Sequence, residues 1–542
     1  MNKNIILGVF VLDLPRALQS FSRLRALNCL YVDKTRYAHD LIVQGQSFFL
    51  SRPRRFGKSV FISTLKEILL GRKDLFEGLW IVKSDYKWIP YGVIHLDFSF
   101  IESSDVSAAR ASLCQNLAGI AADYELSIAL SSSSPKDALV SLVKALHKKF
   151  GRVAVLIDEY DHVILSALHE PQLKEVLAVL QGFFAALKGL GEFIHFMFIT
   201  GVSTFAKAGL FSGMSHPDDI SMVPKYACIC GYMEEDIDQY FIPYLEKMSE
   251  QKEMSIVDLR AELKRLYNGY CFTENAPTVY NPFSFIKALH SGKAENYWFD
   301  SGTPSFLIEI LKREYLKGNS SIFHVEEFRM NEMEPKYFDV NAIPLPALML
   351  QTGYLTIKNY VDGSYSLGFP NLEVQAALQR YMMGILLNLN LPEIANFSGD
   401  LAVALAKEDI EKILSLLKTL CSHIPSKLHI SKEKFYHALL IATFQACGVK
   451  MLAEHATADG FIDLVLELPK LFYVVEIKFN RSTKSALKQV EAKQYFQPFL
   501  HNGKAIRLLG LSFMRTTKKQ ADKSSHFTIT AESRPWLNPT TA

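Results

Sequence analysis

Gly57-Lys58-Ser59 closes the stretch Ser51-Arg52-Pro53-Arg54-Arg55-Phe56, after the apolar run Ser47–Leu50 and before a helical pattern. A strand, a loop and a helix in that order can cradle phosphate. Backbone N–H groups at the helix N-terminus face the anion, a lysine reaches the outer phosphates, and a serine hydroxyl ligates Mg2+. The match to GxxxxGK[ST] is partial, because Arg52 stands where the first glycine belongs. A second group, Asp158-Glu159, ends the unbroken apolar run Val153–Ile157. An acid at the tip of a buried strand can hold the Mg2+ shell, and its neighbour can polarise an attacking water. Thr200 and Ser203, at the end of the run Ile194–Ile199, are placed to touch a γ-phosphate or that water. Alone, Asp158-Glu159 reads as a solvated acidic turn; the three features in this order favour a nucleoside triphosphate site.

A third group lies near the C-terminus, where Asp463, Glu476 and Lys478 interrupt apolar strands. If Pro469-Lys470 is a two-residue turn, antiparallel counting sets Asp463 opposite Glu476, with Lys478 on the same face as Glu476. Opposed carboxylates repel unless a divalent cation lies between them. A nearby lysine can orient water or stabilise charge on a phosphorane, so the trio fits hydrolysis of a phosphodiester. The competing reading is ordinary electrostatics on a half-exposed strand face. Pro-Lys also does not favour the primed turns of tight hairpins, which leaves a one-residue slip open.

These groups need elements to position them. Apolar runs at 48–50, 92–98, 153–157, 194–199 and 226–230 alternate with helical patterns, including one long helical region over about 104–149. Near-continuous hydrophobicity marks strands covered on both faces, so the expectation is an α/β, doubly wound parallel sheet over about 18–232. Helices dominate 233–420, punctuated by Tyr267-Asn268-Gly269-Tyr270, Asn281-Pro282, Tyr297-Trp298-Phe299 and Gln351-Thr352-Gly353-Tyr354. Within them, 346–368 reads as helix, strand, Asp-Gly turn and strand, a possible winged element. Residues 421–520 read as a small α/β unit, with a helix from Ser431 to Ala446, two strands, a helix over 483–496 and a strand near 505–512. The remaining tail is read as frayed.

Composition narrows the classes. At 542 residues, 49% apolar and 21% charged, the chain is long enough for two to four folded domains. A net charge of +3 announces no nucleic-acid partner, which would need a local basic surface. The seven cysteines form no CxxC pair, and Cys228-x-Cys230 sits in an apolar run, so buried thiols in a reducing cytoplasm are expected. No apolar run approaches the roughly 20 residues of a membrane span, and Asp13, Pro15 and Arg16 interrupt any signal-like start. The fifteen histidines show no HxxxH spacing, which argues against zinc.

Tyr31-Val32-Asp33-Lys34-Thr35, the loop Ser51–Ser59 and Leu156-Ile157-Asp158-Glu159-Tyr160-Asp161 together resemble the AAA-ATPase-like family of prokaryotic proteins. Ile199–Ser203, Tyr267–Tyr270 and Tyr280-Asn281-Pro282-Phe283 extend that resemblance, in the family's order, over about 18–285. It implies ATP and Mg2+ as cofactors, with Gly57, Lys58, Ser59, Asp158, Thr200 and Arg55 binding nucleotide. Ser59 and Asp158 would ligate the metal and Glu159 would act as base. Arg54 and Arg55 are either solvated loop charges or groups that touch phosphate, in cis or across an oligomer interface. The D…ExK spacing after Gly460-Phe461-Ile462, followed by Gln489 and Tyr495, resembles the PD-(D/E)XK nuclease superfamily over about 432–500. It implies Asp463 and Glu476 as metal ligands, Ile477 as a carbonyl ligand, Lys478 as base or stabiliser, and Glu454 as a further acid. The expected function is an ATPase coupled to a Mg2+-dependent nuclease acting on DNA or RNA. The alternatives are a nucleotide-dependent switch, or a nucleic-acid-binding protein with an inactive nuclease fold.

Overall fold

The computed structural model describes residues 5–6, 9–10, 12–15, 18–102, 105–166, 172–204, 217–298, 305–316, 328–331, 344–387, 391–422, 440–441, 443–444, 447, 449–457, 460–500, 503–515 and 527–536. The chain divides into two compact units, Met1–Leu307 with Val325–Val374, and Ile308–His324 with Gln375–Ala542. Among the described residues, no helix is long and apolar enough to cross a membrane.

A short antiparallel pair, β1 (Ile5–Ile6) and β2 (Val9–Phe10), opens the first unit. Its centre is a parallel sheet of β3 (Ser47–Ser51), β4 (Gly92–Asp97), β5 (Val153–Asp158), β6 (Ile194–Gly201) and β7 (Asp218–Asp219), in the order β4-β5-β6-β3-β7. Every residue of β5 is buried, as expected of a strand in a parallel sheet with both faces covered. The loop after β3 leaves the carboxyl end of the sheet, where open α/β sheets bind ligands.

Two local expectations change. The helical region over 104–149 is two helices, Val106–Asp123 and Pro135–Phe150. Ser134 caps the second by accepting from the Asp137 N–H, and Pro135 occupies its first turn. The serine run before Pro135 was the available signal. Tyr226–Cys230 is buried but forms tight turns, and β7 takes the fifth place in the sheet.

Three antiparallel strands follow in the same unit: β8 (Arg329–Asn331), β9 (Thr356–Val361) and β10 (Ser364–Gly368), in the order β8-β10-β9. Asp362 (φ 50°) and Gly363 (φ 77°) turn β9 into β10, both in the left-handed region that a type I′ hairpin requires. The Leu345–Gln351 helix, β9, the Asp-Gly turn and β10 follow in the order that residues 346–368 suggested. The aromatic punctuation marks build a buried clasp. Gly269 lies so close to Pro370 that an added Cβ would fall 2.0 Å from its carbonyl oxygen. Asn371 donates from Nδ2 to Asn268 O at 2.9 Å, and Glu373 accepts from the N–H groups of Tyr297 (2.5 Å) and Trp298 (2.8 Å).

The second unit contains a five-stranded mixed sheet, β11 (Lys450–Thr457), β12 (Gly460–Glu467), β13 (Leu471–Phe479), β14 (Ala505–Arg515) and β15 (Phe527–Pro535), paired in chain order. Only β13 and β14 are parallel. The Thr483–Ala492 helix crosses between them and buries Leu487 and Val490 in their core. Strand β15 falls in the stretch read as a frayed tail. Phe527, Ile529 and Ala531 alternate with Thr528, Thr530 and Glu532, the period of a half-exposed strand diluted by short polar side chains. Most of the helix expected over 431–446 lies outside the described residues.

Candidate functional site

Gly57, at φ 91°, is the residue from which the Lys58–Leu69 helix starts. Arg55 also adopts a positive φ, 66°, so the loop turns through two left-handed residues. Arg52, in the place of the missing glycine, does something else. It is 1% exposed, donates from Nη1 to Ser51 O (2.8 Å) and Ser221 O (2.7 Å), and from Nη2 to Tyr226 O (3.0 Å). Its guanidinium lies 4.2 Å from the centroid of the Phe272 ring. Burial lowers its pKa to about 10, which leaves it cationic at neutral pH. A buried charge persists only when hydrogen-bonded, and the carbonyls of the 221–227 turn meet that need. Arg52 therefore fastens the root of the loop to that turn.

Lys58 donates from Nζ to Arg52 O at 2.9 Å and Pro53 O at 3.0 Å. Burial lowers its pKa, against the pull of Glu159 and Asp158. Asp158, the last residue of β5, is 2% exposed. Burial pushes its pKa up to about 6, opposed first by a hydrogen bond from Ser59 and then by Lys58. That bond puts a hydroxyl and a carboxylate side by side, two hard oxygen donors of the kind Mg2+ takes. Glu159 stands at φ 48°, a conformation uncommon for a non-glycine residue. Its carboxylate lies 3.6 Å from His162 Nδ1, a contact that holds the glutamate pKa below its ordinary value.

Asp161 and Ser203 belong to the scaffold. Asp161 accepts from Ser203 Oγ (2.6 Å), Ser203 N (2.8 Å) and Val202 N (3.2 Å), joining the tips of β5 and β6. Gly201 is required there, since a Cβ would come within 2.5 Å of Asp161 Oδ1. Thr200 is buried at the end of β6, where its carbonyl accepts from Tyr160 N at 3.1 Å.

A cavity of about 710 Å³, well inside the range of small-molecule sites, opens beside this loop. Arg55, Gly57, Lys58, Ser59 and Glu159 line it; Asp158 stands behind Ser59, and Thr200 is not part of the wall. Arg54, named with Arg55 as a group that could touch phosphate, lines the cavity too, whereas sequence reasoning assigned no site role to the other lining residues. His162 was marked only by its i,i+3 spacing from Glu159. Leu18, Tyr31 and Val32 supply one apolar wall, and Tyr232, Phe283 and Lys287 another. Asn281 caps the Pro282–Ser291 helix that carries the last two. The Arg55 guanidinium lies 5.0 Å from the Phe283 ring. Lys34, also on the wall, donates to Asp236 Oδ2 at 2.7 Å in a buried ion pair.

In the second unit the hairpin has the register set by the Pro469-Lys470 turn: Leu464 faces Val475, Glu467 faces Phe472, and Leu468 N donates to Leu471 O at 2.8 Å. One step beyond Leu464 and Val475, Asp463 accepts from the Ile477 N–H at 2.7 Å. Glu476 is 0% exposed and its Oε1 receives Lys478 Nζ at 2.6 Å, while Asp463 is held on the backbone of Ile477, the residue between them. Among the described residues, no three His, Cys, Asp or Glu gather as a metal site. Two carboxylates are a donor pair of the kind that suits a hard cation keeping water and substrate oxygens in its shell. The side chain of Glu454 lies outside the described residues.

A family described as a predicted AAA-ATPase matches residues 15–211, and one described as the PD-(D/E)XK nuclease superfamily matches residues 431–523. A protein of Azotobacter chroococcum mcd 1, named only as an uncharacterized protein in the vnfD 5′ region, is 33% identical over 525 residues, covering 93% of this chain and 97% of that one. Among solved structures, the Aeropyrum pernix ORC1 protein in complex with DNA matches at 10% identity over 64% of this chain and 91% of that one, with a TM-score of 0.25, too low to bear on fold or ligand. The chain belongs to the family of the Azotobacter protein, and it joins an AAA-ATPase-like domain to a PD-(D/E)XK nuclease-superfamily domain.

Proposed function

We propose that the first unit binds and hydrolyses ATP with Mg2+, and that this activity governs a Mg2+-dependent nuclease site on the second. The observation that carries the nucleotide half is the cavity that Gly57, Lys58, Ser59 and Glu159 line together. Lys58 would leave the carbonyls of Arg52 and Pro53 for the outer phosphates. Ser59 and Asp158 would hold the metal, Glu159 would take a proton from the attacking water, and Arg55 would approach the phosphates from the loop. Bound Mg2+ would offset charge developing on the phosphoryl oxygens. In the second unit Asp463 and Glu476 would hold the metal, and Lys478 would orient water or stabilise the phosphorane.

The test uses the purified full-length chain with Mg2+. Glu159→Gln should lower ATP turnover by about 10²-fold or more, the usual contribution of a general base. Glu476→Ala should abolish cleavage of DNA and RNA while leaving ATP turnover in place. Cleavage that survives Glu476→Ala removes the nuclease assignment. A second reading, nucleic-acid binding without cutting, is favoured by the closed Lys478–Glu476 contact. Tight binding with no cleavage in either Mg2+ or Mn2+ would select it.

A further inference from the structure

Residues 477–490 carry Lys478, Arg481, Lys484 and Lys488 and no Asp or Glu, in a chain whose total charge is only +3. Arg481, Lys484 and Lys488 are exposed, whereas Ala486, Leu487 and Val490 of the same segment are buried. At 100° per residue Lys484 and Lys488, one turn apart, lie on the side of the helix turned away from that apolar face, and Arg481 immediately precedes the Ser482 cap. Among the described residues none of the three is in an ion pair, although acids reach the same helix: its own Glu491 pairs with Arg534 at 2.7 Å, and Glu532 of β15 accepts from Thr483 Oγ1 at 2.9 Å. The row starts three residues after Lys478, where β13 ends and Asn480 (φ 55°) turns the chain into the helix. Lys484 and Lys488 are about 6 Å apart along the helix axis at 1.5 Å per residue, close to two phosphate steps of one strand at about 3.4 Å each, and Arg481 extends the row before the first turn.

We propose that Arg481, Lys484 and Lys488 form a rail for the sugar-phosphate backbone of a nucleic acid, leading it to Glu476 and Lys478. The rail rests on the nucleic-acid reading of the second unit but not on cleavage. Two of the three side chains are lysines, which grip phosphates as point charges, and phosphate contacts carry no sequence information. The partner is accordingly bound through features that DNA and RNA share, with affinity that falls steeply with salt.

The test measures fluorescence anisotropy of the full-length chain in EDTA, so that substrate is not consumed. The probes are a labelled duplex DNA and a labelled single-stranded RNA, titrated between about 50 and 200 mM salt. Arg481→Gln/Lys484→Gln/Lys488→Gln should weaken binding by about tenfold or more at the low end. It should flatten the slope of log K against log salt by about 2.7 for duplex DNA and about 2 for single strands. The variant Arg481→Lys/Lys484→Arg/Lys488→Arg should keep the slope. Lys144→Gln/Lys148→Gln, at two exposed positions of the Pro135–Phe150 helix, should leave both values unchanged. Loss with only one probe assigns the rail to that nucleic acid. Unchanged slopes for both, no binding of either by the wild type, or weakened binding to phosphatidylserine vesicles alone would each overturn the proposal. Retained cleavage is not required, so a failed nuclease reading and a failed rail give different results.

Discussion

The two candidate sites hold their lysines in different ways. In the nucleotide site Lys58 leans on two backbone carbonyls, and Arg52 behind it on four more. In the nuclease-like site Lys478 is closed on a carboxylate that is itself out of contact with water. Carbonyl dipoles release a cation more readily than an opposite charge does, and they stay satisfied by other donors or water once it has moved. The first arrangement leaves its lysine available to a phosphate. The second makes lysine and glutamate depend on each other, and any ligand must compete with an ion pair in a region of low dielectric.

That contrast can be broken by substitution. The largest stability change is expected for Lys478→Ala, which removes the cation paired with the buried Glu476 carboxylate and should cost about 3–5 kcal/mol. The same substitution in a Glu476→Gln background should cost far less, a coupling that chemical denaturation of single and double variants reads directly. Equal costs in both backgrounds would mean that the pair does not support itself.

Arg52→Ala comes next. It uncovers the carbonyls of Ser51, Ser221 and Tyr226 and should destabilise the first unit by about 3 kcal/mol or more, with loss of nucleotide binding. Arg52→Lys, with a charge but without the fork, should fall between.

A pH series sharpens the comparison through Glu373, which is 1% exposed and whose pKa burial raises from 4.5 to about 7. Because the folded value lies above the unfolded one, its contribution is complete below about pH 4.5 and is lost as pH rises through about 7. The loss is on the order of 3 kcal/mol. Glu373→Gln should remove that dependence from denaturation curves of the full chain.

The smallest stability effect is expected for Lys58→Ala, within about 1 kcal/mol, since its carbonyl partners can find water near the cavity. Binding of ATP with Mg2+, followed by calorimetry, should nevertheless disappear. Retained affinity would show that the loop works without its lysine.

Much of this was legible in the residues alone, for definable reasons. Val153–Asp158 announced a covered parallel strand because both of its faces are apolar, and Pro469-Lys470 set the β12–β13 register because the intervening loop has a fixed length. What stayed hidden depends on contacts between distant segments. Nothing near Arg52 says that its partners are carbonyls at 221 and 226, and nothing near Lys34 points to Asp236. Ser203 looked like a phosphate ligand until Asp161 proved to occupy it. The cavity wall at Phe283 and Lys287 was invisible for the same reason: its helix is ordinary, and only its position beside the loop gives it a role.

The Lys34–Asp236 pair joins residues 202 positions apart. A ribosome adding about 5–20 residues per second needs roughly 10–40 s to cover that interval. By the end of that time the nascent chain has its phosphate loop and the strands of its sheet, while the Lys34 ammonium group still waits in water. A stalled chain released before position 236 should therefore show the strands of the ATPase-like domain but bind nucleotide poorly, because the wall that completes the cavity has not yet been made.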